Sequence, residues 1–157
     1  ESVSKNIKNL KRYSFSQKQK SRKLLFLHAK ELMTHPVETL FSNTSLEDAY
    51  EMFSKKRYRH IPIVTENFRV SGILSDRDLL KGVLKSDFSK KTVEDVMSTP
   101  VLTVAETTEV HLLAKILFKE RIGALPIIDD NKRLIGIVTR GDILRALSQT
   151  EIFQVDA

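Results

Sequence analysis

Apolar residues recur at helical spacing twice along the chain, at Leu46, Ala49, Met52 and Phe53 and again at Val110, Leu113, Ile116 and Leu117. That periodicity predicts two helices with one face against a core, and Ser45 and Thr108 stand where a side-chain oxygen caps a first turn. Each helix is followed by two short apolar runs joined by a polar turn, Ile61–Thr65 with Arg69–Ser75 and Leu125–Asp129 with Leu134–Thr139. These read as strands in hairpins, with Glu66-Asn67 and Asp130-Asn131 at the turns. Shorter strands are predicted before each helix, over Val37–Leu40 and Val101–Val104, and a further helix begins near Asp78 and near Asp142. The order is strand–helix–strand–strand–helix, twice.

The two halves are copies. A shift of 64 residues lays Met33-Thr34-His35-Pro36-Val37 on Met97-Ser98-Thr99-Pro100-Val101 and His60-Ile61-Pro62-Ile63-Val64 on Ala124-Leu125-Pro126-Ile127-Ile128. The same shift lays Gly72-Ile73-Leu74-Ser75-Asp76-Arg77-Asp78 on Gly136-Ile137-Val138-Thr139-Arg140-Gly141-Asp142. Residues 30–83 and 94–147 share 15 identities in 54 ungapped positions, and a fixed period of this kind marks a repeated structural unit. The expected division is a basic tail and helix over 1–29, a first repeat over 30–84, a linker over 85–93, a second repeat over 94–150 and a tail over 151–157. One unit of about 54 residues buries too little surface to be comfortably stable alone. The hairpin strands are apolar on both faces, so the fold class is α+β, with the repeats packed sheet to sheet about a pseudo-two-fold axis. Such an axis creates two equivalent seams.

Composition narrows the picture little. The 157 residues are 41% hydrophobic and 29% charged, ordinary for a globular chain. With no cysteine, disulfides and cysteine-ligated metal sites are excluded. Apolar runs fall far short of the ~20 residues that span a bilayer, so a soluble, cytoplasmic body is expected, or the cytosolic part of a larger protein. A start at Glu1 rather than Met fits a fragment. The formal charge of +6 belongs to the N-terminal stretch, where residues 1–30 hold nine Lys/Arg against Glu1 while residues 31–157 hold 17 basic and 19 acidic residues.

Three motifs in one register, Met-[ST]-x-Pro-Val, [HA]-[IL]-Pro-[IV]-[IV] and Gly-Ile-[LV]-[ST]-x-x-Asp, make residues 30–150 resemble a tandem cystathionine beta-synthase (CBS) domain pair. The resemblance implies a regulatory module, often a homodimer, whose seams bind AMP, ADP, ATP or S-adenosylmethionine as a regulatory ligand, with no cofactor required and an effector protein or domain as listener. It implies that Asp78 and Asp142 hold the ribose hydroxyls, with Ser75 and Thr139 beside them. The opening strand of the opposite copy would supply base contacts, Thr34 and Thr39 in the Asp142 seam and Ser98 and Thr103 in the Asp78 seam.

The chemistry of those residue types agrees. One fixed carboxylate accepts from both vicinal hydroxyls of a ribose, each charge-assisted bond contributing ~1.5–3 kcal/mol, and a helix start offers free N–H groups to a phosphate. Arg59, His60 and Arg77 in the first copy and Arg140 in the second are candidate phosphate contacts. Copy two has Gly123-Ala124 in place of Arg59-His60 and Gly141 in place of Arg77, so the seams are expected to bind unequally.

Plainer readings stand beside these. Ser75-x-x-Asp78 and Thr139-x-x-Asp142 also fit a capping box that needs no ligand, and Arg59 and Arg77 equally suit a solvated surface. His28, His35, His60 and His111 show no metal-ligand spacing. No P-loop or Gly-x-Gly-x-x-Gly occurs among five glycines, and no nucleophile–base pair stands out, so enzyme activity is not expected. Two alternatives follow: a ligand-free dimerisation scaffold, or a nucleic-acid binder using the basic tail, where Lys5, Lys8, Lys11, Arg12 and Lys18 mix with Tyr13 and Phe15.

Overall fold

The computed structural model describes residues 13–15, 26–84, 88–149 and 153–155. Most of the basic tail, and residues 21–25 at the start of a helix expected near Ser21–Met33, lie outside the described residues. Within the tail, β1 (Tyr13–Phe15) pairs antiparallel with the last strand of the chain, β7 (Phe153–Val155), in the register Tyr13↔Val155. A short helix α1 (Ala29–Leu32) precedes the first repeat.

Copy one comprises α2 (Leu46–Lys56), β2 (His60–Val64), β3 (Val70–Ser75) and α3 (Asp76–Leu84). Two 3-10 turns, Phe88–Lys90 and Val93–Asp95, lead onward. Copy two comprises β4 (Val104–Ala105), α4 (Val110–Lys119), β5 (Ala124–Ile128), β6 (Leu134–Thr139) and α5 (Arg140–Gln149).

Local chemistry explains the helix ends. Ser45 Oγ accepts from the Asp48 N–H at 3.1 Å, and Glu47 and Asp48 in the first turn of α2 with Lys55 and Lys56 in the last oppose the helix dipole favourably. The N-cap of α4 is Glu109, not Thr108 as expected. The Thr108 backbone is already committed, its N–H to the Ala105 carbonyl and its carbonyl to the Ala29 N–H at 2.8 Å. Both α2 and the turn after α4 close on a left-handed arginine, Arg57 (φ 54) and Arg121 (φ 55), one repeat length apart in the 64-residue register.

The hairpins superpose in register. His60 pairs with Ser75 and Pro62 with Ile73 in copy one, as Ala124 pairs with Thr139 and Pro126 with Ile137 in copy two, and both slip at the same place, Ile63/Val64 and Ile127/Ile128. The positive φ in each turn falls on Phe68 and Lys132, the residues that follow Asn67 and Asn131.

The strands expected over Val37–Leu40 and Val101–Val104 shrink to a single parallel bridge, Leu40↔Ile63, and to β4 beside β5. The reason is where these segments come from. Thr34 bridges Ile137 in the sheet of copy two, and Ser98 bridges Ile73 in the sheet of copy one. A segment that starts on one sheet and ends on the other cannot form a long strand in either.

The cores follow the same exchange. Leu46, Ala49, Ile61, Ile63 and Leu74 form the core of copy one, and Val93, from the stretch expected as a linker, is fully buried among them with Val96 and Met97 alongside. Reciprocally, Ala29 is fully buried in the core of Leu113, Leu125, Ile127 and Val138, with Leu32 and Met33 against it. Burying a side chain such as Val93 contributes roughly 1.5–3 kcal/mol and a methyl such as that of Ala29 about 0.8 kcal/mol, so each copy draws stability from the other's opening segment. The opposite sheet faces, carrying Pro62, Val64 and Pro126, are buried too, leaving the facing copy as their cover. The Leu134 N–H donates to the Phe68 carbonyl across this junction at 2.9 Å.

Candidate functional site

In both copies the hairpin's second strand runs directly into the last helix, so Ser75 and Thr139 occupy the cap position and Asp78 and Asp142 the third helical residue. Ser75 Oγ donates to Asp78 Oδ2 at 2.6 Å and accepts from the Asp78 N–H at 3.1 Å. Thr139 repeats this with Asp142, donating through Oγ1 and through its N–H to Oδ2, each at 2.8 Å. This is the capping box that the sequence allows, and it holds each carboxylate at a helix mouth in one orientation.

What surrounds each acid comes from the other end of the chain segment exchange. Ser98 Oγ lies 3.4 Å from Asp78 Oδ2, brought there by the Ile73↔Ser98 bridge. Thr34 stands on the Asp142 side through its N–H to the Ile137 carbonyl at 2.9 Å. Thr39 and Thr103 are half-buried beside Leu40 and Val104, where each opening segment has returned to its own sheet, and among the described residues neither is hydrogen-bonded to an acid.

The cationic candidates divide. Arg59 and Arg77 have exposed side chains. The Arg59 carbonyl accepts from the Asp76 N–H at 3.0 Å, and the Arg77 N–H donates to Asp76 Oδ1 at 2.8 Å. Arg140 is tied to its own copy, Nε donating to the Ile122 carbonyl at 3.0 Å. His60 crosses the seam: its imidazole lies where a Cβ on Gly123 of copy two would stand. Burial pushes its pKa below the ordinary histidine value, with Asp76 and Asp78 pulling upward and Arg140 and Arg59 adding to the depression.

Sequence reasoning missed Arg145, whose Nη1 donates to Asp142 Oδ1 at 3.0 Å. The signal was its position three residues after Asp142, one turn along the same helix face. It also missed that Gly123 is the floor on which His60 rests. Among the described residues no helix is long and apolar enough to cross a membrane.

A duplicated α+β unit with exchanged opening segments and an acid at each helix mouth defines a class of paired repeat modules. The chain belongs to the CBS domain family: the family's profile matches residues 29–85 and 93–149. In sequence it is 34% identical over 116 residues to L-aspartate semialdehyde sulfurtransferase of Methanocaldococcus jannaschii, covering 74% of this chain and 22% of that enzyme. It thus spans about a fifth of that relative's length. The crystal structure of CBSX2 in complex with AMP is 30% identical with a TM-score of 0.71, over 78% of this chain and 97% of that one. The CBS domain pair of protein MJ0100, in complex with 5′-methylthioadenosine and S-adenosyl-L-methionine, is 32% identical with a TM-score of 0.74, over 80% and 99%.

Proposed function

We propose that this chain is a ligand-sensing regulatory module that binds an adenine nucleotide in the seams between its two repeats. The observation that carries the reading is the composite nature of each seam: an acid fixed by one copy stands against the opening segment of the other, Ser98 beside Asp78 and Thr34 bridged to the strand that leads to Asp142. A ligand there touches both copies, so it favours whichever relative arrangement suits it, and an attached domain or partner reads the shift. The adenosyl ligands in the structures of CBSX2 and MJ0100 support the ligand class. Ribose hydroxyls go to Asp78 and Asp142, with Ser75 and Thr139 beside them; base contacts go to Thr34, Thr39, Ser98 and Thr103, and phosphate goes to Arg59, His60, Arg77 and Arg140. A homodimer is the working form, supported by Leu80 and Leu144, equivalent positions on α3 and α5 that are 58% and 65% exposed.

Thermal melting with AMP, ADP, ATP and S-adenosylmethionine tests the reading. Ligand at 100 times its dissociation constant should stabilise by ~2.7 kcal/mol. One observation favours a second reading, a ligand-free scaffold: both carboxylates are already engaged in capping their own helices. Unmoved melting with all four compounds at millimolar concentration would select the scaffold.

A further inference from the structure

Asp78 and Asp142 are held alike through Oδ2 and differently through Oδ1. Asp142 Oδ1 accepts from Arg145 Nη1, and the pair joins a side chain 65% exposed to a carboxylate only 6% exposed. The position 64 residues before Arg145 is Lys81, which is exposed. Among the described residues nothing donates to Asp78 Oδ1, while its Oδ2 takes bonds from Ser75 and Ser98. The difference has a chemical ground. A guanidinium reaches back one turn with planar donors matched to a carboxylate, whereas an ammonium is more strongly hydrated and gains less by leaving water.

We infer that Arg145 occupies, from within the chain, the donor position on Asp142 that a sugar hydroxyl would take. The two seams are therefore unequal: nucleotide fills the Asp78 seam first and the Asp142 seam only as Arg145 is displaced. This inference rests on the nucleotide reading above. Arg145 acts as a specificity residue, setting which seam responds at a given ligand concentration. Because its guanidinium is largely solvated, the handicap is modest, on the order of tenfold in affinity, which is ~1.4 kcal/mol. The unequal distribution of Arg59 and Arg77 between the copies points the same way but from a different part of the ligand.

Isothermal titration of the full chain with AMP tests this, using the wild type, Arg145→Ala and Lys81→Arg. The wild type should show one tight and one roughly tenfold weaker site. Arg145→Ala should tighten the weak site until the two merge, and Lys81→Arg should weaken the tight one. Arg145→Ala leaving both sites unchanged overturns the inference, as does its weakening the second site, which would make Arg145 a ligand contact instead. AMP density confined to the Asp142 seam in crystals grown at equimolar AMP also overturns it. No heat from any of the three proteins with AMP, ADP or ATP overturns the nucleotide reading itself and this inference with it. A ligand-free melting cycle of Asp142→Asn, Arg145→Ala and the double variant should show non-additive shifts; strict additivity removes the pair on which the inference stands.

Discussion

Met33 packs its sulfur against Gly136 in the sheet of the opposite copy, where a Cβ would otherwise stand, and Met97 does the same to Gly72. These two contacts are how each opening segment seats on the sheet it does not belong to. Adding a methyl at either glycine drives it into the methionine, and at Gly136 Met33 Cγ and Cβ also lie within 2.8 and 3.0 Å of the new atom. Gly136→Ala should therefore cost about 1–3 kcal/mol by overpacking. Gly141→Ala, whose nearest neighbour is Thr139 Oγ1 at 3.5 Å in an exposed helical turn, should be neutral or gain up to ~1 kcal/mol. Urea unfolding midpoints of the two variants give the comparison.

Leu46 and Leu113 are both fully buried, each at the centre of one core. Truncating either to alanine should cost roughly 2–5 kcal/mol. Because Val93 and Ala29 exchange between the cores, each variant should lower one common transition. Unfolding followed by two probes, one in each copy, should remain coincident; separated transitions would mean the copies fold independently.

Replacing both Asp78 and Asp142 with asparagine keeps a capping side chain while removing the charge. Nucleotide affinity should fall tenfold or more, with a melting shift that is small by comparison. Equal affinity for the variant and the parent would take the ribose role away from these acids.

His60 sets a direction for pH dependence. Burial holds its folded pKa below the unfolded value of ~6.5, so above that value the imidazole is neutral in both states and the stability is fully present. As pH falls below ~6.5, the unfolded chain binds the proton first, and stability is lost until pH passes the lower folded pKa. His60→Gln should flatten the melting temperature as pH falls below ~6.5 relative to the parent. A phosphate beside His60 would favour the imidazolium, so AMP should bind more tightly as pH drops over the same interval.

Much of the architecture was legible in the chain itself. A fixed 64-residue period, helical spacing at Leu46 through Phe53 and Val110 through Leu117, and apolar hairpin strands at Ile61 and Leu125 identify two α+β copies, because periodicity and turn chemistry are local properties. The Ser75–Asp78 and Thr139–Asp142 boxes were legible for the same reason. Helix starts at Asp76 and Arg140, two residues ahead of the acids, follow from that capping geometry.

Partnership between distant segments was not. Nothing local tells Val93 that it belongs to the core of Leu46, or Ala29 that it belongs to the core of Leu113; only the closing of two copies on one another assigns them. The same closure shortened the expected strand at Val37–Leu40, set Ser98 beside Asp78, laid His60 on Gly123 and let Arg145 face an acid buried by the fold. Sequence determines which segments can be helix, strand or cap, since those depend on neighbours in the chain. Tertiary structure alone decided which surfaces share a seam, since burial and charge pairing depend on neighbours in space.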